Sequence, residues 1–328
     1  MKVLVCDPLS QVGIQLFQET PGIDVEVETE LSPRALKEII GSYDGLIIRS
    51  ATRITADILA SAHNLRVIGR AGIGLDNVDI PEASRRGIVV MNTPEGNTIT
   101  AAEHTIAMMM AISRNIPQAT ASLKAGKWEK KAFKGRELFN KTLGLIGAGH
   151  IGRVVADRAR GMKMKVIVYD PYIKPEAIEK VDLEPVSLDE LLARADYVTI
   201  HTPKTEETFD IINRDALAKM KKDAILLNCA RGGIVNEEDL CEALESGHLA
   251  GAAFDVFATE PPGKNKLMSL DNFICTPHLG ASTREAQDNV AKEVAEQVIA
   301  YLLHGSVKNA VNVPSISAEL MTVLRPYA

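Results

Sequence analysis

The sequence is poor in the residues that mark several specialised classes of protein. Aromatic residues make up 4% of its 328 residues, tryptophan occurs once, and the four cysteines form no CxxC pair. Cysteines scattered in this way indicate neither a disulfide framework nor a zinc site, so we predict that no metal is bound. Basic residues number 37 against 43 acidic ones, which argues against a general surface for nucleic acid or anionic lipid.

Long apolar runs are also missing. No stretch approaches the roughly 18 uncharged apolar residues of a membrane span, and the N-terminal MKVLVCDPLS has no extended apolar core or small-residue cleavage site. These absences predict a cytoplasmic protein that engages neither membrane nor nucleic acid. We therefore expect a small-molecule substrate. If that substrate is anionic, specific arginines must attract it against the net charge of −6.

Short apolar runs alternate with polar, helix-like segments along nearly the whole chain. The runs are KVLVC, GLIIRS, RVIGRAG and IVVMN in the first part, and TLGLIG, KVIVYD, YVTIH, AILLNC, GAAFDVF and NFICTP after Lys141. This alternation predicts an α/β protein with two doubly wound parallel-sheet domains, each with its own core, and a cleft between them.

A segment between the two series has Ala, Ile and Met at helical spacing. It extends from Asn97 to about Ala121, and Pro117 is expected to kink or end the helix. We interpret it as a packed core or subunit-interface helix rather than as a Met-rich ligand groove.

The segment TLGLIGAGHIGRVVADRA contains a glycine-rich phosphate-binding pattern. Gly147, Gly149 and Gly152 have GxGxxG spacing between an apolar strand and the start of a helix. Gly147 allows a tight turn, Gly149 allows a pyrophosphate to approach the backbone, and Gly152 allows the helix to pack on the strand. The pattern predicts a dinucleotide site, the alternative being a tight turn without a ligand.

The strand after this loop, KVIVYD, ends at Asp170. A carboxylate there accepts hydrogen bonds from the 2′-hydroxyl of an adenosine ribose. The following residues, Pro171 and Tyr172, include no arginine to balance a 2′-phosphate, so NAD is predicted rather than NADP. An S-adenosylmethionine methyltransferase would share these features, but it would leave the later polar residues unexplained.

Three ionisable residues follow later strands of the same series: Arg231, Glu260 and His278. The carboxyl ends of parallel strands share one edge, so these residues are expected to meet in one crevice. Their types suit hydride transfer involving a 2-hydroxy or 2-oxo acid. His278 would take the hydroxyl proton, Glu260 would fix its tautomer and favour the imidazolium, and Arg231 would hold the substrate carboxylate. Taken singly, each has an alternative as a solvated loop cation, a turn acid, or a capping or packed imidazole.

The motifs that contain these residues resemble the D-isomer-specific 2-hydroxyacid dehydrogenase family. They are GLIGAGHIG, NCARGGIVNEEDL, DVFATEPP and TPHLGAST. The segments IIRSATRITADIL, IGRAGIGLDNVDI, VVMNTPEGNT and IPQATASLKAGKW resemble more narrowly the members that oxidise a phosphorylated hydroxy acid, so the resemblance covers nearly the whole chain. It implies that Arg231, Glu260 and His278 are catalytic, and it leaves little weight for the three alternatives.

The resemblance also implies further binding residues. Around the cofactor they are His150, Ile151, Thr202, Pro203, Cys229, Ala230, Asp255 and Gly280, of which Ala230 and Asp255 would lie by the nicotinamide. For the substrate they are Arg49, Ser50, Arg70, Ala71, Gly72, Ile73 and Gly74. Arg49 and Arg70 would face a phosphate, and the backbone from Ala71 to Gly74 would bind a carboxylate.

The resemblance implies a discontinuous arrangement of domains. A flavodoxin-like substrate-binding domain would comprise residues 1–98 and 283–328, and a Rossmann NAD-binding domain, residues 99–282, would be inserted into it. The expected assembly is a homodimer or a higher homo-oligomer, with the helix from Asn97 at the interface.

The activity implied is NAD-dependent oxidation of 3-phospho-D-glycerate to 3-phosphohydroxypyruvate, the first step of phosphorylated L-serine biosynthesis. A glyoxylate or hydroxypyruvate reductase, or another D-2-hydroxyacid dehydrogenase of the same family, remains an alternative. A more remote one is a transcriptional co-regulator that senses NADH. The final segment, VNVPSISAELMTVLRPYA, resembles a stretch that leads into regulatory domains in longer members. The chain is thus expected to be a natural short form or a truncated one, insensitive to serine.

Overall fold

The computed structural model describes residues 1–315, which form two compact units. The first unit comprises Met1–Asn97 together with residues 283–315, and the second is Thr98–Ser282. The last part of the segment that resembles a lead into regulatory domains, from residue 316, lies outside the described residues. Within residues 1–315 no helix is both long enough and apolar enough to cross a membrane.

Strands and helices alternate through both units. In chain order, the strands are β1 (Lys2–Val5), β2 (Asp24–Val27), β3 (Gly45–Ile48), β4 (Val67–Arg70), β5 (Val89–Asn92), β6 (Thr142–Ile146), β7 (Lys165–Tyr169), β8 (Glu184–Pro185), β9 (Tyr197–Ile200), β10 (Ile225–Asn228), β11 (Gly251–Phe254) and β12 (Phe273–Cys275). The helices are α1 (Gln11–Glu19), α2 (Pro33–Ile39), α3 (Ala56–Leu59), α4 (Ile80–Arg85), α5 (Thr98–Ser113), α6 (Ile116–Lys124), α7 (His150–Gly161), α8 (Pro175–Glu179), α9 (Leu188–Arg194), α10 (Arg214–Lys219), α11 (Glu237–Glu245) and α12 (Arg284–His304). Single 3₁₀ turns occur at Ile40–Ser42 and Lys266–Ser269.

The first unit is built on a five-stranded sheet in which every strand pair is parallel. Its order is β2-β1-β3-β4-β5, the flavodoxin-like arrangement, in which the direction of winding reverses between β1 and β3. Sequence patterning did not predict β2, because its DVEV sequence forms a partly exposed edge strand without an apolar run.

Helix α12 covers one face of this sheet through a row of valines. Gly69 on β4 makes the close packing possible, since an added Cβ would lie 2.6 Å from Cγ2 of Val294 and 2.8 Å from Cγ2 of Val298. Gly13 on α1 allows a similar approach, because its Cβ would lie 2.6 Å from the carbonyl oxygen of Ala291. The last long helix is therefore an integral part of the first unit.

The second unit is built on a seven-stranded parallel sheet. Its order, β12-β11-β10-β9-β6-β7-β8, has β6 near the centre and reverses between β6 and β9, as in Rossmann folds. Strand β10 (ILLN) is buried at all four positions, as a strand with helices on both faces requires. The prediction of two doubly wound parallel sheets is confirmed.

The expected continuous helix from Asn97 to about Ala121 is instead two helices. Helix α5 ends at Ser113, and α6 begins at Ile116 after Asn115, whose φ of 52° is left-handed. Pro117 lies in the first turn of α6, where its missing N–H leaves no helical hydrogen bond unmade. The proline thus starts a second helix rather than kinking the first.

Candidate active site

The three predicted catalytic residues follow three neighbouring strands of the second unit. Strands β10, β11 and β12 are adjacent and parallel, so their carboxyl ends share one edge of the sheet. Arg231 follows β10, Glu260 follows β11 and His278 follows β12. The fold thus delivers a guanidinium, a carboxylate and an imidazole to the edge where doubly wound sheets bind ligands.

Glu260 and His278 form a direct pair. Oε2 of Glu260 lies 2.7 Å from Nδ1 of His278, and Oε1 of the same carboxylate accepts a hydrogen bond from the N–H of Phe257 at 3.0 Å. The carboxylate is therefore held at one oxygen and presents the other to the ring. An ionised carboxylate only accepts hydrogen bonds, so Nδ1 carries the proton in this pair and Nε2 is left as the basic nitrogen.

The segment that carries His278 is folded around the buried carboxylate of Asp255, which is 1% exposed. Oδ1 accepts hydrogen bonds from Oγ1 of Thr276 at 2.5 Å and from the N–H of Leu279 at 2.7 Å, and Oδ2 accepts one from the N–H of Gly280 at 2.7 Å. Burial opposes ionisation, but hydrogen bonds from His104, Thr276 and Leu279 hold the pKa of Asp255 below its usual range. Asp255 is consequently an anion that organises the turn containing His278, whose φ is 55°.

His104 on α5 belongs to the same cluster, although sequence reasoning placed it only on a packed helix. Its Nε2 lies 3.0 Å from Oγ1 of Thr276 and 3.3 Å from Oδ1 of Asp255. His104 and Thr276 are 172 positions apart, so no local pattern pointed to their contact. The motif that supplied His278 also contains Thr276, but nothing in it showed what this hydroxyl contacts.

Arg231 leaves β10 through a tightly packed turn. Its Nη1 donates to the carbonyl of Ala230 at 2.7 Å, and its own carbonyl accepts from Nδ2 of Asn228 at 2.9 Å. An added Cβ on Gly232 would lie 1.7 Å from the carbonyl oxygen of Phe257, and Gly233 has a φ of 82°. The glycine pair therefore lets the chain turn closely beside the segment that leads to Glu260.

The glycine-rich loop has the shape that a pyrophosphate needs. Gly147 has a φ of 101°, and its Cβ would lie 2.7 Å from the carbonyl oxygen of His201, while a Cβ on Gly152 would lie 2.1 Å from the carbonyl oxygen of Gly147. A Cβ on Gly149 would meet no other described residue within 4 Å, and α7 begins at His150, followed by Ile151. This open backbone at a helix N-terminus fits the pyrophosphate of a dinucleotide.

Asp170, which directly follows β7, is hydrogen-bonded to the glycine-rich loop. Its Oδ2 accepts from the N–H of Ala148 at 2.6 Å, and its Oδ1 accepts from the N–H groups of Tyr172 and Ile173, both at 2.8 Å. Each carboxylate oxygen has two acceptor sites, so capacity remains for a ribose hydroxyl. Asp170 therefore has a structural role in the loop beside the predicted contact with the ribose.

Several of the expected cofactor residues follow β9 and β10. Within the described part of the chain, Oγ1 of Thr202 is buried without a hydrogen-bond partner, and the carbonyl of Pro203 accepts from Oγ1 of Thr208 at 2.7 Å. Burial lowers the pKa of His201 to about 3 and raises the pKa of Cys229 to about 12, so both side chains are neutral at physiological pH. Neither side chain therefore adds a charge beside the residues that are expected to contact the nicotinamide.

The predicted substrate residues of the first unit lie at the carboxyl ends of β3 and β4. Arg49 directly follows β3, and its Nη1 donates to the carbonyl of Pro8 at 3.2 Å, while Ser50 is exposed. The guanidinium of Arg70 lies against Gly72, since an added Cβ there would be 1.7 Å from Nη1. Two cations therefore occur on adjacent strand ends of an acidic protein.

The backbone from Ala71 to Gly74 is held by side chains of β5 and the residue after it. Oγ1 of Thr93 accepts from the N–H of Gly72 at 2.6 Å, and Nδ2 of Asn92 donates to the carbonyl of Ile73 at 2.7 Å. Gly72 has a φ of 138°, which few other residues adopt. This turn is therefore fixed by contacts within the chain itself.

Comparison with known proteins shows the same family over both units. Residues 106–280 match the family model described as D-isomer specific 2-hydroxyacid dehydrogenase, NAD binding domain. A D-3-phosphoglycerate dehydrogenase from a Synechocystis species is 50% identical over 326 residues, or 99% of this chain and 58% of that protein. Another from Methanocaldococcus jannaschii is 48% identical over 328 residues, or 100% of this chain and 62% of that protein.

A solved structure shares the fold of this chain. The TT0316 protein from Thermus thermophilus superposes with a TM-score of 0.86 at 37% identity, covering 95% of this chain and 100% of that one. The chain spans only about three fifths of the length of the two curated relatives above.

Proposed function

The chain belongs to the D-isomer specific 2-hydroxyacid dehydrogenase family, and on that premise we propose that it oxidises 3-phospho-D-glycerate to 3-phosphohydroxypyruvate. Its cofactor is NAD. The observation that carries the proposal is the contact between Nδ1 of His278 and Glu260 at the sheet edge that also bears Arg231. The reaction would begin the phosphorylated route to L-serine. In this proposal the first unit binds the substrate and the second binds NAD.

The acid–base step follows from the His278–Glu260 pair. Because Nδ1 donates to Glu260, Nε2 has a free lone pair and takes the proton from the C2 hydroxyl of the substrate. The imidazolium that forms is stabilised by the Glu260 carboxylate 2.7 Å away. In the reverse direction the same nitrogen returns the proton to the C2 oxygen. When bound, NAD supplies the nicotinamide ring that accepts hydride from C2.

Arg231 and the two arginines of the first unit recognise the anionic groups. Arg231 holds the C1 carboxylate through paired hydrogen bonds and polarises the C2 oxygen. Arg49 and Arg70 bind the phosphate, which accounts for two cations on adjacent strand ends of a protein with net charge −6.

A substrate panel tests the proposed activity. The full chain is assayed for NADH formation from 3-phosphoglycerate and from D-glycerate at alkaline pH, with a trapping agent for the oxo product. We expect a kcat/KM for 3-phosphoglycerate at least about 100-fold higher, since a phosphate held by two arginines contributes about 3 kcal/mol. Comparable turnover of both substrates would identify a less specific dehydrogenase of the family. Absence of any turnover, with NADH still bound, would support the sensor alternative.

Substitution of the two arginines tests the phosphate site directly. Arg49→Ala combined with Arg70→Ala should impair the reaction of 3-phosphoglycerate far more than reduction of hydroxypyruvate, which has no phosphate. Arg53→Ala, a neighbouring exposed arginine, serves as the matched control and should leave both reactions near the wild-type level. Equal losses on both substrates in the double variant would refute the phosphate assignment.

We further propose that the chain forms a homodimer through α6 and the segment that follows it. No residue of α6 is buried, and the apolar side chains Leu123 (58% exposed) and Trp128 (82% exposed) lie on and just after this helix. A helix without a buried face gains little from folding on one chain, whereas a second copy would cover it. Leu123→Asp should shift the mass measured by light scattering from dimer to monomer, and an unchanged mass would contradict this interface.

A cytoplasmic location is also proposed. All four cysteines are free thiols, including the exposed Cys275, which suits a reducing compartment. Fractionation of source cells should recover the protein with cytoplasmic marker enzymes, and recovery in a secreted or membrane fraction would contradict the proposal.

A further inference from the structure

The turn that carries Arg49 lies where the sheet of the first unit reverses its winding. Arg49, Ser50, Ala51 and Thr52 follow β3, while Asp7 follows the neighbouring strand β1. In open parallel sheets, ligand crevices form at this reversal point, outside the carboxyl ends of the strands. We call residues Arg49 to Thr52 the arginine turn. The hydrogen bonds that fix the shape of this turn therefore also fix the position of Arg49.

Asp7 holds the arginine turn from the side of β1. Its carboxylate is 4% exposed and accepts three hydrogen bonds. Oδ2 accepts from the N–H of Arg49 at 2.5 Å and from the N–H of Thr52 at 3.2 Å, and Oδ1 accepts from Oγ1 of Thr52 at 2.8 Å. A buried carboxylate is tolerated only when hydrogen bonds compensate its lost hydration, and all three of these donors belong to the arginine turn.

Asn77 holds the same turn from the other side, in the loop after β4. Its Nδ2 donates to the carbonyl of Arg49 at 2.7 Å and to the carbonyl of Thr52 at 2.6 Å. The carbonyl of Asn77 in turn accepts from the N–H of Ile54 at 2.7 Å. The N–H and C=O groups of both Arg49 and Thr52 are therefore satisfied by side chains from outside the turn, and the exposed tip at Ser50 and Ala51 lies between two fixed points.

The identity of each side chain matches its contacts. A carboxylate offers acceptors on both oxygens, which the two N–H groups and the hydroxyl at Asp7 use, whereas an alanine there would leave all three without this partner. At Asn77 the reverse holds, because both contacts are to carbonyl oxygens and need a donor. Neither side chain is aimed at an external ligand through these atoms.

We propose that Asp7 and Asn77 are positioning residues that set the arginine turn in the geometry that binds the substrate phosphate. The inference rests on the proposed function, because it takes the phosphate of that substrate as the ligand of Arg49. Asp7 and Asn77 act through the turn and do not contact the substrate. Loosening either anchor lets the turn move, so the enzyme loses selectivity for phosphorylated over unphosphorylated substrates while the chemistry at His278 is preserved.

Four variants of the full chain test the proposal. Asp7→Ala removes all three hydrogen bonds to the carboxylate, and Asn77→Ala removes both hydrogen bonds from the amide. Thr52→Val removes only the hydroxyl contact with Asp7, so it keeps the proposal testable if a buried variant does not fold. Asp44→Ala is the matched control. Asp44 also accepts a backbone N–H, that of Lys2 at 2.7 Å, but it precedes β3 and lies at the opposite edge of the same sheet.

The measurements separate positioning from a general loss of structure. For each variant, kcat and KM are determined for 3-phosphoglycerate oxidation and for hydroxypyruvate reduction, together with the Kd for NADH and the melting temperature. Binding of 3-phosphoglycerate to the NADH complex is followed by calorimetry, which does not depend on turnover.

We expect the KM and Kd for 3-phosphoglycerate to rise about tenfold or more in Asp7→Ala and Asn77→Ala, which lose several hydrogen bonds, and about threefold in Thr52→Val, which loses one. Hydroxypyruvate kinetics and NADH binding should stay within about twofold, and Asp44→Ala should match the wild type in every kinetic measurement.

The results that would overturn the positioning role can be distinguished from failure of the proposed function. If the wild type binds 3-phosphoglycerate without oxidising it, the proposed activity fails and the Kd values of the variants still decide the positioning role. If the variants lose affinity for both substrates equally, or if Asp44→Ala shows the same loss, Asp7 and Asn77 are merely structural. Unchanged affinity in folded Asp7→Ala, or a wild type that does not bind 3-phosphoglycerate, also overturns the inference.

Discussion

Replacing Asp255 by asparagine tests how the turn that carries His278 is held. The substitution keeps the size of the side chain but removes its charge and turns one acceptor oxygen into a donor. In the wild type, Oδ1 and Oδ2 both accept main-chain N–H groups, from Leu279 and Gly280, each at 2.7 Å. Whichever way the amide is oriented, one of these N–H groups faces an N–H₂ group.

The cost follows from that mismatch. The substitution leaves one main-chain N–H without its charged acceptor, which costs about 1.5–3 kcal/mol. The chain can relieve part of this cost by shifting the turn that contains His278. A displacement of about 1 Å at a catalytic group lowers the rate about 100-fold. We therefore expect Asp255→Asn to lower both the free energy of unfolding and kcat.

The pH dependence of the free energy of unfolding provides an independent test. Because hydrogen bonds hold the folded-state pKa of Asp255 below its usual range near 4, its stabilising contribution is complete above that range and is lost as the pH falls from there through the lower folded-state pKa. The asparagine side chain of the variant does not titrate, so the variant should lose less stability than the wild type as the pH falls below about 4.

The assay is steady-state kinetics with 3-phosphoglycerate or hydroxypyruvate, alongside urea unfolding at several pH values. Asp196→Asn is the matched control, because Asp196 also accepts a backbone N–H, that of Thr142 at 2.8 Å, but at the amino ends of the strands. Asp196→Asn should lower the free energy of unfolding and leave kcat unchanged. A wild-type kcat in folded Asp255→Asn, or an equal drop in kcat in the control, would refute the reasoning.

Two further substitutions and one labelling experiment also have defined outcomes. Glu260→Gln should lower kcat/KM about tenfold without altering the Kd for NADH, since it removes the anion beside His278, and an unchanged rate would contradict the role of the pair. Asp170→Ala removes the acceptor of one N–H group in the glycine-rich loop, that of Ala148, and of the N–H groups of Tyr172 and Ile173 after β7. The Kd for NAD should therefore rise about tenfold or more and discrimination against NADP should relax, and an unaltered coenzyme preference in kinetics would count against it. Burial raises the pKa of Cys229, to about 12, and also that of Cys275, but only Cys275 of the two is exposed. Iodoacetamide at pH 8 should therefore label Cys275 and spare Cys229, and equal labelling by mass spectrometry would show the site to be open.

Much of the fold was predictable because its patterns are local. The apolar runs that become β6, β9 and β10 are buried on both faces, and such strands have no polar alternation to obscure them. The edge strands β2 and β8 escaped prediction, since a short, partly exposed strand has no comparable pattern. The break between α5 and α6 depended on the left-handed conformation of Asn115, which sequence spacing alone did not reveal.

By itself, the sequence determined the classes of group at the site: the glycine loop, the acid at Asp170 and the trio after β10 to β12. These positions are set by chain order, because each follows a strand and parallel strands end at one edge.

Only the tertiary structure decided which supporting side chains meet there. Asp7 reaches Arg49 and Thr52 across 42 and 45 positions, and His104 reaches Thr276 across 172. A hydrogen bond depends on the distance and orientation of two particular atoms within a few tenths of an ångström, and for residues so far apart in sequence those quantities exist only once the strands are paired in register.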